Sequence, residues 1–264
     1  MSEAPMVAAA TILLVRDAPT LEVLMVQRHH QIDFVPGALV FPGGKTAPED
    51  ANREWAAHCD GFDGDAVQLG LRICAIREAF EESGVLLARP AAARGAGKPL
   101  ASFAQTEAIA LKRETIEKGT VSFLKSVEDA DLVLALDALT PFAHWITPRG
   151  MPKRFDTWFY VAAAPPDQVA ACDGREAVDA CWITPPDALR DGREGKRKII
   201  FPTRLNVEKL AETTTAAAAI EAARTRKIVT VEPVIVREDG GSVLTIPAEA
   251  GYAVTREALT SENT

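Results

Sequence analysis

Arg77-Glu78-Ala79-Phe80-Glu81-Glu82-Ser83-Gly84-Val85 decides how this chain is read. At 3.6 residues per turn, Glu78, Glu81 and Glu82 stand three, four and one position apart and so share one helix face. Glutamates four apart repel and cost a bare helix about 0.2–0.5 kcal/mol. A cation offsets that repulsion, and a hard divalent ion such as Mg²⁺ or Mn²⁺ takes carboxylate oxygens readily. Arg77, beside them, can orient a carboxylate with its planar fork. Gly84 stops the helix and Val85 opens an apolar run. The plain alternative is a solvated acidic helix face. What stands upstream argues against it.

Phe41-Pro42-Gly43-Gly44 follows a β-rich stretch at 21–27 and a short apolar segment at 38–41. A glycine pair after a strand lets backbone groups approach a ligand closely. With the helix, this arrangement resembles the signature of Nudix hydrolases, G-x5-E-x7-R-E-U-x-E-E-x-G-U, where U is a bulky aliphatic residue. Arg77, Glu78, Glu81, Glu82, Gly84 and Val85 fall on its second half, and Ala79 stands where a larger aliphatic residue is usual. The first half departs from the pattern. Its glycine belongs 14 positions before the arginine, yet Gly44 precedes Arg77 by 33, an insertion of 19 residues. Counting back eight from Arg77 lands on Leu69 where the pattern has a glutamate, which leaves Asp63 or Asp65 to take that place.

A split signature narrows the resemblance. The segments 34–44, 72–82 and Arg154-Phe155-Asp156-Thr157 look like three blocks of one Nudix subgroup. It contains the animal peroxisomal coenzyme A diphosphatase and its bacterial relatives, which also carry an insertion inside the signature. The likeness covers about residues 6–190. It implies an α+β Nudix fold, an α/β/α sandwich with a mixed central sheet and helical insertions. The expected organisation is one elaborated domain over 1–264: a core at 6–190, insertions at 45–64 and 89–140, and an extension at 191–264.

The implied activity is metal-dependent hydrolysis of a phosphoanhydride in a nucleoside diphosphate linked to another moiety. Coenzyme A or an acyl derivative is the first choice. A broader pyrophosphatase acting on ADP-ribose, NADH or dinucleoside polyphosphates is the alternative, since Nudix enzymes share a scaffold and differ in what they cut. A non-catalytic nucleotide sensor is the alternative from another class. The implied site has one to three Mg²⁺ or Mn²⁺ ions held by Glu78, Glu81 and Glu82 with the Gly43 carbonyl, which polarise a phosphoryl oxygen and activate water. Arg77 holds a glutamate in place. Glu176, six residues before Trp182, is a candidate further metal ligand or base, with Asp173 as competitor. Arg28 at a strand end and Gly44 are candidate substrate contacts.

Composition agrees with a soluble enzyme. The chain has 264 residues, 47% hydrophobic and 25% charged, enough for a sizeable core. A net charge of −8 argues against a nucleic-acid-coating surface. Metal ions would still let an acidic protein bind a small polyphosphate. Cys59, Cys74, Cys172 and Cys181 show neither a CxxC pair nor zinc spacing, and Cys74 and Cys181 read as core thiols. The first residues carry no basic region before an apolar stretch, no apolar run reaches eighteen residues, and the last residues are not a Ser-Lys-Leu address. A cytoplasmic protein without membrane or nucleic-acid partners is expected, with a homodimer as one possible assembly.

Hydrophobic periodicity predicts strands at 7–15 and 21–27, a short helix in 48–59, and the signature helix at 66–83, with Asp65 as N-cap. Leu69, Ile73, Ile76 and Phe80 form that helix's core stripe. An exposed linker is predicted at 89–99, helices at 100–118 and 122–136, and strands at 142–147, 157–164 and 178–184. A short helix near Leu189, an exposed loop at 190–198, a long helix at 203–225 and a final strand at 227–236 complete the outline. His29 and His30, adjacent in a strand, point to opposite faces and cannot ligate jointly. Arg154 and Asp156 are expected to pair, and His144 with Trp145 to pack in the sheet.

Overall fold

Residues 10–15 are buried throughout apart from partly covered Thr11, with Ile12 and Leu14 on one side of a strand and Leu13 and Val15 on the other. A strand covered on both faces needs helices on both sides of its sheet, and the computed structural model has that arrangement. It describes residues 4–29, 35–62, 64–172, 177–238 and 241–259.

The first elements are β1 (Met6–Asp17), β2 (Leu21–Arg28), β3 (Leu39–Val40) and β4 (Gly43–Lys45). After two 3₁₀ turns, Pro48–Ala51 and Arg53–Ala57, come β5 (Cys59–Asp60) and helix α1 (Ala66–Ser83). The next segment holds β6 (Ala88–Pro90), α2 (Phe103–Ala110), α3 (Arg113–Glu117), α4 (Phe123–Asp129) and β7 (Leu132–Ala135). Then follow β8 (Thr140–Ile146), β9 (Arg154–Ala163), β10 (Ala177–Ile183), α5 (Pro185–Arg193), α6 (Phe201–Leu210) and α7 (Ala216–Thr225). Four short strands close the described chain: β11 (Thr230–Val231), β12 (Val234–Glu238), β13 (Gly241–Thr245) and β14 (Arg256–Ala258).

The central sheet runs β10-β2-β1-β9-β8-β11, with β3 added to β2 and β4 to β1. It is mixed: β1 pairs with β9 in parallel and with β2 and β4 antiparallel. One core sets Ile12, Leu14 and Tyr160 against Ile73, Ile76 and Phe80 of α1. The other sets Leu13, Val15, Phe159 and Val161 against Leu205 of α6 and Ala219 of α7. The expected mixed α/β/α sandwich is therefore present.

Helix α1 keeps the predicted bounds. Asp65 caps it by accepting the Gln68 N–H at 2.8 Å, and Gly84 ends it at φ 75°, a left-handed conformation that glycine takes without penalty. Cys74 is fully buried and Cys181 partly so.

Several expectations inside the insertions are corrected. The 89–99 stretch is no exposed linker at its start: β6 joins β5 and β7 in a small sheet. Buried Arg89 forks onto Asp137 at 2.6 and 2.8 Å. Arginine in an Ala/Gly/Pro-rich run reads as solvated unless a distant acid is known. The helices predicted at 100–118 and 122–136 are three shorter ones, and 132–135 is strand β7, where Val133 and flanking leucines pair with β6 and β5. Two 3₁₀ turns replace the short helix in 48–59. The long 203–225 helix is broken between α6 and α7, where Thr215 caps α7 by accepting from the Ala218 N–H. The final strand at 227–236 is two strands, and β13 and β14 beyond it had no counterpart in the sequence reading.

Candidate active site

Charged residues seldom go fully inside unless paired. Here four in one helical turn and a half do so: Arg77, Glu78, Glu81 and Glu82 are at most 9% exposed. That removes the solvated-face alternative. The Arg77 guanidinium organises the group. Its Nη1 donates to Glu78 Oε1 at 2.8 Å and to Glu81 Oε2 at 3.0 Å. Its Nε and Nη2 donate to Asp50 Oδ1 and Oδ2, both at 2.9 Å, and Nη2 also reaches the Lys45 carbonyl at 3.0 Å. Burial opposes the charged form of Arg77, but the Asp50 hydrogen bonds and the charges of Glu78 and Asp50 outweigh it and push its pKa up.

Asp50 corrects the sequence reading. Six positions after Gly44 is where the signature places its first acid, and Asp50 stands there. Counting back from Arg77 missed it because the extra length lies between Asp50 and Arg77. Of the two acids expected in that place, Asp65 is occupied as the α1 cap, and Asp63 lies outside the described residues.

The glycine pair abuts the carboxylates. The Gly43 N–H donates to Glu82 Oε2 at 2.9 Å. A Cβ on Gly44 would run into the Glu78 carboxylate, and one on Gly43 would meet the Ala10 carbonyl at 2.5 Å. Only residues without a side chain leave room for this approach. Gly43 thus meets the acidic face through its N–H.

The donor chemistry suits a hard divalent cation. Asp50, Glu78, Glu81 and Glu82 oppose the single positive charge of Arg77, and all five are buried. Burial, only partly countered by Arg77, pushes Glu81 up to about 7. Added positive charge among oxygen donors relieves that cost. With Arg77 bonded to Glu78 and Glu81, no trio of histidine, cysteine, aspartate or glutamate among the described residues stands preformed as a cation site.

These residues form one end of a cleft of about 740 Å³. Gly43, Gly44, Arg77, Glu78, Glu81, Glu82 and Arg28 all line it, so it unites these candidates from the sequence, whereas Asp65 is not on it. The Arg28 Nε is buried without a hydrogen-bond partner. Glu176 and its competitor Asp173 lie outside the described residues, as does His30.

Three groups on the cleft have no role assigned to them from the sequence. Glu117 arrives from the helical insertion, which Arg113 pins to α1 by donating from Nε to the Glu81 carbonyl at 2.9 Å. Phe155 and Thr157 line the cleft from β9, while Asp156 between them bonds His144 Nε2 at 2.5 Å. The expected Arg154–Asp156 pair does not form. Strand alternation sends the two side chains to one face, but Arg154 turns to Glu232 at 2.7 Å and His144 stacks on Trp158. The third group is a set of apolar residues after 199. They are far from the signature in sequence, and no local pattern marks them.

The mixed sheet with a carboxylate-bearing helix beside a Gly-Gly strand is the arrangement of a Nudix fold. The family model of the NUDT19 Nudix domain matches residues 63–210, more than half of the chain, and the chain belongs to that family. The acyl-coenzyme A diphosphatase NUDT19 of Xenopus laevis is 27% identical over 211 residues, 66% of this chain and 56% of that protein. Its counterpart in Gallus gallus is 29% identical over 234 residues, 69% of this chain and 61% of that protein. The chain thus spans somewhat over half the length of these relatives. A NUDIX hydrolase from Alicyclobacillus acidocaldarius has a similar solved structure, with TM-score 0.69 and 27% identity over 83% of this chain and 96% of its own. No helix among the described residues is long and apolar enough to cross a membrane.

Proposed function

We propose that this protein is a divalent-metal-dependent diphosphatase that splits the phosphoanhydride of coenzyme A or an acyl-coenzyme A. The observation that carries this reading is the meeting of three buried glutamates, a fixed arginine and the Gly43-Gly44 pair at one end of the cleft. Membership of the NUDT19 family and the activity for which the relatives are named support the choice of substrate.

Glu78, Glu81 and Glu82, with the Gly43 carbonyl, would hold Mg²⁺ or Mn²⁺. When bound, such an ion supplies the positive charge that draws electron density from a phosphoryl oxygen. Arg77, fixed by Asp50, orients Glu78 and Glu81 and leaves the substrate to others. The Gly43 N–H fixes the rotation of Glu82. A glutamate of this trio takes a proton from water as its oxygen attacks phosphorus, and the P–O bond of the anhydride breaks. Arg28, whose Nε has no hydrogen-bond partner, meets a substrate phosphate. From coenzyme A the products are 3′,5′-adenosine bisphosphate and 4′-phosphopantetheine.

The test is a substrate panel of coenzyme A, ADP-ribose, NADH and diadenosine polyphosphates with Mg²⁺ or Mn²⁺, with products identified by mass. Adenosine bisphosphate with phosphopantetheine supports the reading. AMP from the other compounds with coenzyme A untouched replaces it with the broader pyrophosphatase. Tight nucleotide binding without turnover at any metal concentration replaces it with a sensor.

A further inference from the structure

The cleft is much larger than a diphosphate needs, and part of its lining has a different chemistry. Among the described residues beyond 199, those that line it are Ile200, Phe201, Pro202, Thr203, Pro233, Ile235, Leu244 and Leu259, and of these only Thr203 has a polar side chain. Pro233, Ile235, Leu244 and Leu259 lie outside the segment that the family model matches. Ile235 is turned inward and partly covered, whereas its neighbours Val234 and Val236 are 58% and 36% exposed. Strand alternation in β12 thus aims one apolar side chain at the cleft and two at solvent.

This wall is held in place by buried and half-buried polar anchors. The Tyr252 hydroxyl accepts from Trp145 Nε1 at 3.0 Å and donates to Asn206 Oδ1 at 2.7 Å. Lys209 Nζ donates to the Ala250 carbonyl at 2.7 Å, and Arg204 pairs with Glu257. Arg154, in the third sequence block, pairs with Glu232 beside Pro233. The segment after α7 is therefore tied to α6, β8 and β9, whose own residues Trp145, Phe155 and Phe159 line the same cleft.

We propose that this C-terminal wall binds the aliphatic tail of the substrate, the acyl chain carried at the thiol end of a coenzyme A thioester, and so sets a preference for chain length. The inference rests on the proposed diphosphatase reading. The apolar residues line the same cleft as the carboxylates, so one molecule can touch both with its anhydride at the glutamates. A nucleobase is the competing occupant. Its ring edge carries donors and acceptors that these apolar side chains would leave unpaired, at a cost that an alkyl chain does not incur.

The test compares free coenzyme A with its acetyl, hexanoyl and dodecanoyl thioesters, for the wild-type chain, Ile235→Ser and Leu259→Ser. In the wild type kcat/KM rises with chain length, by up to roughly fourfold for each methylene buried. In either variant the ratio of dodecanoyl-coenzyme A to free coenzyme A falls by about tenfold or more, the loss of roughly two methylene contacts. Ile235 sits in a strand, so melting curves accompany each variant, and Leu259→Ser decides if Ile235→Ser fails to fold. Equal ratios in wild type and variants overturn the tail site and leave the diphosphatase reading intact. Equal losses on all substrates, ADP-ribose included, assign the wall to the base and overturn the proposal. Turnover of ADP-ribose with no cleavage of coenzyme A or its thioesters defeats the diphosphatase reading and the tail site with it.

Discussion

Asp50 and Arg77, 27 positions apart, form a two-bond fork with both N···O distances at 2.9 Å, and Asp50 is 1% exposed. The second carboxylate oxygen also accepts the Ala47 N–H at 2.7 Å, so the acid is fixed by its own turn before it fixes the arginine. Arg77 in turn sets the positions of Glu78 and Glu81. The chain from a 3₁₀ turn to the reactive face therefore passes through one ion pair.

Breaking that pair leaves a buried guanidinium short of a partner. Asp50→Asn is expected to destabilise the fold by about 3–5 kcal/mol, the range for losing one member of a buried pair. Urea denaturation measures it. Activity per folded molecule is expected to fall as well, because Glu78 and Glu81 lose their fixed support. A midpoint and an activity both unchanged would show that the fork positions nothing.

Gly44→Ala separates geometry from charge. The added methyl has to displace the Glu78 carboxylate, since that is the group it meets. Displacing a reacting group by about 1 Å costs on the order of a hundredfold in rate. The expected outcome is a loss of kcat of that order with the melting temperature nearly unchanged. Wild-type kcat in Gly44→Ala would mean that Glu78 works from another position.

A divalent ion that binds among the glutamates stabilises the folded state alone. At a hundred times its dissociation constant, Mn²⁺ is expected to add about 2.7 kcal/mol, visible as a higher melting temperature that a chelator reverses. Glu82→Gln should shrink this gain, since it removes one negative donor. The same gain in the variant as in the wild type would place the ion elsewhere.

Arg28 is expected to act on binding. Its alanine variant should raise KM with little change in kcat, by roughly ten- to a hundredfold for a lost charge-assisted hydrogen bond of about 1.5–3 kcal/mol. Arg28→Lys should not restore affinity if the flat fork is what meets the phosphate. A loss confined to kcat would move Arg28 from binding into the chemical step.

The carboxylate helix was legible because its information is local. Asp65, the stripe through Ile73, Ile76 and Phe80, the spacing of the glutamates and Gly84 all lie in one stretch, and each does there what local rules require. Strands covered on both faces were legible for the same reason. Asp50 was within reach, since counting forward from Gly44 finds it, but the inserted length broke the count made from the other side. Arg89 was not legible: its partner Asp137 is 48 positions away, and composition alone gives such an arginine to solvent. The apolar wall was hidden for a similar reason. Ile235, Leu244 and Leu259 carry no signal until the chain after α7 folds back and Tyr252 fastens it between Trp145 and Asn206.

The buried glutamates are proposed to hydrolyse a phosphoanhydride with a divalent metal. This role is tested most directly by following coenzyme A by mass spectrometry, with and without Mn²⁺, for the wild type and Glu82→Gln in parallel. Metal-dependent formation of adenosine bisphosphate and phosphopantetheine is expected from the wild type, with a loss of about 10²–10⁴-fold in the variant, the range for removing one acid–base or electrostatic group. Full metal-dependent turnover by Glu82→Gln, or turnover by the wild type that a chelator does not abolish, would contradict that role.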